Sequence, residues 1–128
     1  MFGSMSRPPV AIGHVTLRVA DVARAAEFYG TLGLRPVMQR GAMAILELRG
    51  GTHLLLFRAT GRPKRGPLRS FDFMVDDVNK THARLLDSGL TCSKIASDRV
   101  SGHHMFDVTD PDGHVLTVYS THAEGREV

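Results

Sequence analysis

Over residues 10–20 apolar and polar positions alternate, with Val15, Leu17 and Val19 on one side and His14, Thr16 and Arg18 on the other. A period of two marks a strand with one buried face. The rhythm changes at Asp21, a natural N-cap, after which Val22, Ala25, Tyr29 and Leu32 recur at helical spacing. Gly30 and Gly33 are expected to stop this helix. Strand patterns follow at 36–40, 42–48 and 53–57, the last two joined through the Gly50-Gly51 bend. The order then returns. Phe71, Phe73 and Val75 form one strand face and Ser70, Asp72 and Met74 the other. Asp76 or Asp77 caps a helix carrying Val78, His82 and Leu85, which ends at Gly89. Strands are predicted at 91–95, 103–109 and 114–120, the last two joined by the turn Asp110-Pro111-Asp112-Gly113.

The return is a repeat. Shifted by 56 positions, HVTLRVADVARAAEFYGTLGL lies over SFDFMVDDVNKTHARLLDSGL, with Val19 on Val75, Asp21 on Asp77 and Gly33 on Gly89. The pattern predicts an α+β fold of tandem β-α-β-β-β modules forming a cupped mixed sheet, with helices near residues 21–32 and 77–88 on the convex side. One domain over 10–121 is expected, with modules at about 10–58 and 69–121. Residues 1–9 read as an extension in which MFGS precedes a natural start at Met5 and is a cloning remnant, and 122–128 as a polar tail. The strand faces bearing His14, Thr16, Arg18 and Ser70, Asp72, Met74 are too polar for a dry core. They are therefore expected to line a hollow, together with Asp107, Thr117 and Tyr119.

Sixteen Lys and Arg against 13 Asp and Glu give a net charge of +3. Part of the excess lies in the segment 58–69, with Arg62, Lys64 and Arg65 between Arg58 and Arg69. No aromatic residue interleaves with these charges, so the segment reads as a solvated connection and a nucleic-acid partner is not expected. No apolar run reaches the roughly 18 residues of a membrane helix, and no secretion signal is evident. The single cysteine, Cys92, has no intrachain partner and no recognisable base beside it; it reads as a packed thiol in a cytoplasmic protein.

The His-opening strand, the Asp-capped helix with Phe28-Tyr29 before Leu-Gly-Leu, and DPDGHVLTVYS near the end resemble the vicinal oxygen chelate superfamily. That group includes glyoxalase I, extradiol dioxygenases, fosfomycin-resistance enzymes and bleomycin-resistance proteins. The resemblance spans roughly residues 11–121 and implies the fold more than the activity. It also implies a divalent metal held by ligands from the first and last strands of the modules, acting as a Lewis acid on chelating substrate oxygens. Carried over, the first ligand is His14. Its counterpart in the second module is Ser70, the expected carboxylate is Thr117, and matching His53 with His114 makes the fourth position Leu56.

A lone histidine does not hold a metal. His14 therefore reads first as a pocket-lining residue. The other reading is a rearranged divalent site for Fe, Mn, Ni or Zn, in which His14 is joined by His103, Asp107 or Asp72. His103 and His104 are neighbours on a strand and point to opposite faces. His82 reads as structural, His53 and His114 as matching surface or edge residues, and His122 as part of the tail. Arg18 on a polar face calls for a partner, either Asp72 or an anionic ligand. The resulting expectation is a binder of a small polar or anionic organic molecule without the usual metal, contacted by His14, Thr16, Arg18, Ser70, Asp72, His103, Asp107, Thr117 and Tyr119. The alternative is a metal-dependent lyase, isomerase or dioxygenase. The resemblance also implies a homodimer.

Overall fold

The computed structural model describes residues 7–100 and 102–121; residues 1–6 of the expected extension and the 122–128 tail, with His122, lie outside them. The first half runs β1 (His14–Val19), α1 (Val22–Leu32), β2 (Arg35–Arg40), β3 (Met43–Glu47) and β4 (His53–Arg58). The second runs β5 (Gly66–Pro67), β6 (Phe73–Val75), α2 (Val78–Asp87), β7 (Thr91–Cys92), β8 (Ala96–Ser97), β9 (His104–Thr109) and β10 (His114–Ser120). The fold is α+β, with two helices and mixed sheets.

Both helices begin where a carboxylate satisfies a free backbone donor. Asp21 accepts from the Arg24 N–H at 3.0 Å and Asp77 from the Lys80 N–H at 2.9 Å. Asp76 instead pairs with Arg49 across the two halves, at 3.1–3.2 Å. α1 ends at Gly33, whose φ of 136° suits a residue without a side chain. Gly30 stays helical, so Gly33 alone is the stop. The Arg84 guanidinium of α2 donates to the last carbonyls of α1, Thr31 and Leu32, both at 2.7 Å. One half therefore caps the helix of the other.

The first sheet has the order β1-β4-β3-β2, with β1 parallel to β4 and the remaining pairs antiparallel. In the second, β10 pairs antiparallel with β9, and β5 and β6 follow one another along the free side of β10. β7 and β8 likewise share the far side of β9. One core joins the halves: Leu17, Val19, Leu54 and Leu56 from the first sheet, Phe73, Phe106, Val108, Leu116 and Val118 from the second, and Tyr29 and Leu85 from the helices. Phe73 lies 6.5 Å from Tyr29, ring centre to ring centre. The predicted faces hold in part: Leu17, Val19 and Phe73 are buried and His14, Thr16, Arg18, Ser70, Asp72 and Met74 are exposed, but Val15, Phe71 and Val75 are half-buried and line a cavity between the modules, where the polar faces were expected. No helix among the described residues is long and apolar enough to cross a membrane.

Three expectations change. The 58–69 connection contains β5, because Gly66 and Leu68 donate N–H bonds to Gly113, just before β10, and to Val115 on it. Residues 10–13 and Phe71 lie outside strands. The repeat also breaks at one place. Val115 faces Pro67 and Val118 faces Phe73, and Leu68 makes the last bond to β10 before the rejoining, so residues 69–72 have left the ladder. Ser70 therefore does not stand across from β10 as His14 stands across from β4.

Candidate ligand-binding site

Strand register arranges the uncovered face of the first sheet in rows across β1, β4 and β3: His14, His53, Glu47; then Thr16, Leu55, Ile45; then Arg18, Phe57, Met43. The His14 and His53 rings lie 6.1 Å apart, tilted by 40°. Glu47 accepts from Arg35 Nε at 2.8 Å, and this hydrogen bond holds its carboxyl below the usual range, against the opposing effect of desolvation. The Arg18 guanidinium lies over the Phe57 ring, 5.2 Å from its centre. No ion pair joins Arg18 to Asp72, because Asp72 belongs to the segment that left the ladder. Arg18 thus offers its donors on an exposed face, held from behind by an aromatic ring.

The second sheet repeats these rows with different chemistry. Thr117 faces Asp107 and donates its hydroxyl to that carboxylate at 3.0 Å, while the Asp107 N–H donates to Ser93 Oγ at 2.8 Å. Tyr119 faces Met105 on one side and Met74 on the other. His103 precedes β9; its ring packs edge-on against Tyr119 at 5.3 Å, and Nδ1 lies 2.6 Å from the Ser120 carbonyl oxygen. His104 points elsewhere, to Ser97 Oγ at 3.0 Å. His103, Asp107, Thr117 and Tyr119 form one neighbourhood, and His14, Thr16 and Arg18 form another. The hydrogen bonds and ring contacts described here stay within one sheet.

Register also corrects one carried-over position. Val19 faces Arg58 and Val75 faces Ser120, so the first-half counterpart of Thr117 is Leu55, not Leu56. Leu56 is wholly buried in the core, whereas Leu55 shares a row with Thr16 on the uncovered face. The same register shows that His53 and His114 do not match. His53 faces outward in its row, and His114 points into the core. The four positions at which the family resemblance implies metal ligands therefore hold an imidazole, a leucine, a hydroxyl already engaged by Asp107, and Ser70 off the ladder. Apart from His14 they supply no ordinary donor for a divalent ion, so the residues present do not fit the group.

Asp110, Asp112 and His114 form the close set of potential metal donors among the described residues, with ligand atoms all within 4.8 Å of one another. The lone pairs of Asp110 are spent internally. Asp110 Oδ2 accepts the Tyr29 hydroxyl at 2.7 Å and lies 2.7 Å from His114 Nδ1. Its Oδ1 accepts the N–H groups of Asp112 and His114, both at 2.9 Å. Asp112 accepts the Ala20 N–H at 3.2 Å. Burial, reinforced by the Asp110 charge, pushes the Tyr29 phenol far above its ordinary value and keeps it a neutral donor. The cluster ties the β9–β10 turn to the ends of β1 and α1. Sequence reading saw only a turn in Asp110–Gly113; the signal that it missed was the buried helical position of Tyr29, whose hydroxyl needs an acceptor.

The remaining candidates are structural. His82 Nε2 lies 2.7 Å from the Ser93 carbonyl oxygen, with its ring edge-on to Phe106 at 4.9 Å. Cys92 is half-buried, and burial pushes its thiol pKa up, which weakens it as a nucleophile.

The family model described as Glyoxalase/Bleomycin resistance protein/Dioxygenase superfamily matches residues 11–118. Among solved structures, the chain is similar to a lactoylglutathione lyase from Agrobacterium tumefaciens, at 25% identity and a TM-score of 0.72, covering 94% of this chain and 100% of that one. An integron cassette protein from the mobile metagenome of a Halifax Harbour sewage outfall has a TM-score of 0.75 at 17% identity, covering 87% and 98%. A glyoxalase family protein from Enterococcus faecalis has a TM-score of 0.68 at 22% identity, covering 85% and 96%. No curated protein matches the chain. The matched span takes in both modules and the strands whose rows are described above, and the chain belongs to the Glyoxalase/Bleomycin resistance protein/Dioxygenase superfamily.

Proposed function

We propose that this chain binds a small polar or anionic organic molecule without a metal, as a cytoplasmic homodimer. One observation carries the reading. The positions where the superfamily's metalloenzymes offer ligands hold Leu55, Thr117 and the displaced Ser70 beside the single His14, while Arg18 stands exposed with no carboxylate paired to it among the described residues. A guanidinium braced on an aromatic ring presents a planar fork of donors, which matches a carboxylate or phosphonate. Thr16 and the His14–His53 pair on the same face supply further hydrogen-bonding groups to orient such a molecule. The exposed faces of the two modules, with Met74 53% accessible beside Tyr119, give a second copy a surface to shelter. The unpaired, half-buried Cys92 suits a reducing compartment.

Titration of labelled protein with benzoate and phenylphosphonate, followed by NMR, tests the anchor. Shifts are expected around Thr16, Arg18 and Phe57, and Arg18→Ala should weaken binding about tenfold or more, the size of a charge-assisted hydrogen bond. Equal affinity in the variant would remove Arg18 from the site. Sedimentation should give twice the 14.0 kDa chain mass; a particle of one chain at micromolar concentration would end the dimer reading.

A further inference from the structure

The break in the repeat opens onto a cavity that the reading above does not use. In the first module the edge strand β1 stays in register with β4 over its whole length. In the second, the edge chain leaves β10 after Leu68 and rejoins at Phe73, so the 69–72 segment is longer than the stretch of β10 that it spans. Such irregularities re-aim side chains. Here Phe71 and Asp72 fall in the wall of a cavity of about 700 Å³ between the two modules. A volume of this size is typical of small-molecule sites.

The lining joins both halves. Val15 and Leu34 come from the first module, and Phe71, Phe73 and Val118 from the second. Phe71 and Phe73 pack edge to face, 5.7 Å apart, and give the wall aromatic surface. The charges at the rim are mostly spoken for: Arg35 is paired with Glu47, and Arg49 with Asp76. Asp72 remains, exposed and without an ion pair among the described residues. An apolar, partly aromatic cavity with one uncompensated carboxylate at its mouth complements an organic cation that has an apolar body.

We infer that this inter-module cavity is a second binding site, for an amphiphilic organic cation whose ammonium head meets Asp72 and whose apolar body packs against Phe71, Phe73 and Val15. The site is separate from the Arg18 face and takes the opposite charge.

Three isosteric probes test it by NMR titration: 4-phenylbutylamine, 4-phenylbutanol and 4-phenylbutanoate. The amine should bind more tightly than the alcohol, and the alcohol more tightly than the carboxylate, with shifts at Leu34, Phe71, Phe73 and Val118. Asp72→Asn should weaken the amine about fivefold, the upper end for an exposed ion pair, and leave the alcohol unchanged. Asp72 is exposed, so the variant's spectrum should otherwise match the native one and report folding directly. Arg18→Ala should leave amine binding intact, which separates this site from the anion site. Equal amine affinity in wild type and Asp72→Asn, tighter binding of the carboxylate, or shifts confined to the His14–Arg18 face would overturn the inference.

Discussion

Replacing Asp110 by alanine is expected to lower stability by about 3–5 kcal/mol, because several buried donors lose their acceptor at roughly 1–3 kcal/mol each. The carboxylate has no solvent exposure and receives four interactions: the Tyr29 hydroxyl, His114 Nδ1 and the N–H groups of Asp112 and His114. Deleting it strands a buried phenol and a buried imidazole, each losing its acceptor at once. The loss also frees the β9–β10 turn from α1, so the damage reaches both modules. Asp110→Asn keeps the volume but puts an amide N–H₂ where an acceptor is needed, so a smaller loss is expected. Urea unfolding of the two variants measures both. A loss under 1 kcal/mol in Asp110→Ala would mean that the cluster is not the tie between modules described here.

Phe73→Ala should cost a similar amount, about 3–5 kcal/mol, through lost burial and the cavity left behind. Phe73 is only 8% accessible and packs on Tyr29 and Phe71 in the shared core. Its neighbour Met74 lies on the opposite face and is 53% accessible. Met74→Ala should therefore stay within about 0.5 kcal/mol of wild type. The contrast between adjacent residues tests strand parity rather than size alone. A loss under 1 kcal/mol at Phe73, or a larger loss at Met74, would put the wrong face under the helices. Because Phe73 and Asp110 both contact Tyr29, the double variant is expected to depart from additivity.

The strength of the pattern explains how much was legible in advance. α1 and α2 begin one residue after Asp21 and Asp77, because a carboxylate cap and an apolar stripe at helical spacing are local properties of the chain. The buried strand faces followed from alternation for the same reason. The register between strands was less accessible. It depends on turn and connection lengths, so matching His53 with His114 by their position after a turn put Leu56 where Leu55 belongs. The departure of residues 69–72 from β10 was invisible too: nothing in Arg69–Asp72 announces the extra length. Of the two partners open to Arg18, Asp72 falls away for this reason. Asp72 has the right parity in the repeat but not the right place in the sheet. The Tyr29–Asp110–His114 cluster links positions 81 residues apart, which no local pattern connects.

Elemental analysis of protein purified without chelator tests the central claim most directly. The substitutions at the ligand positions predict iron, manganese, nickel and zinc far below one atom per chain, in wild type and in His14→Ala alike. One equivalent of any of these metals in the native protein, lost in His14→Ala, would contradict the metal-independent reading and replace it with a divalent site built around His14.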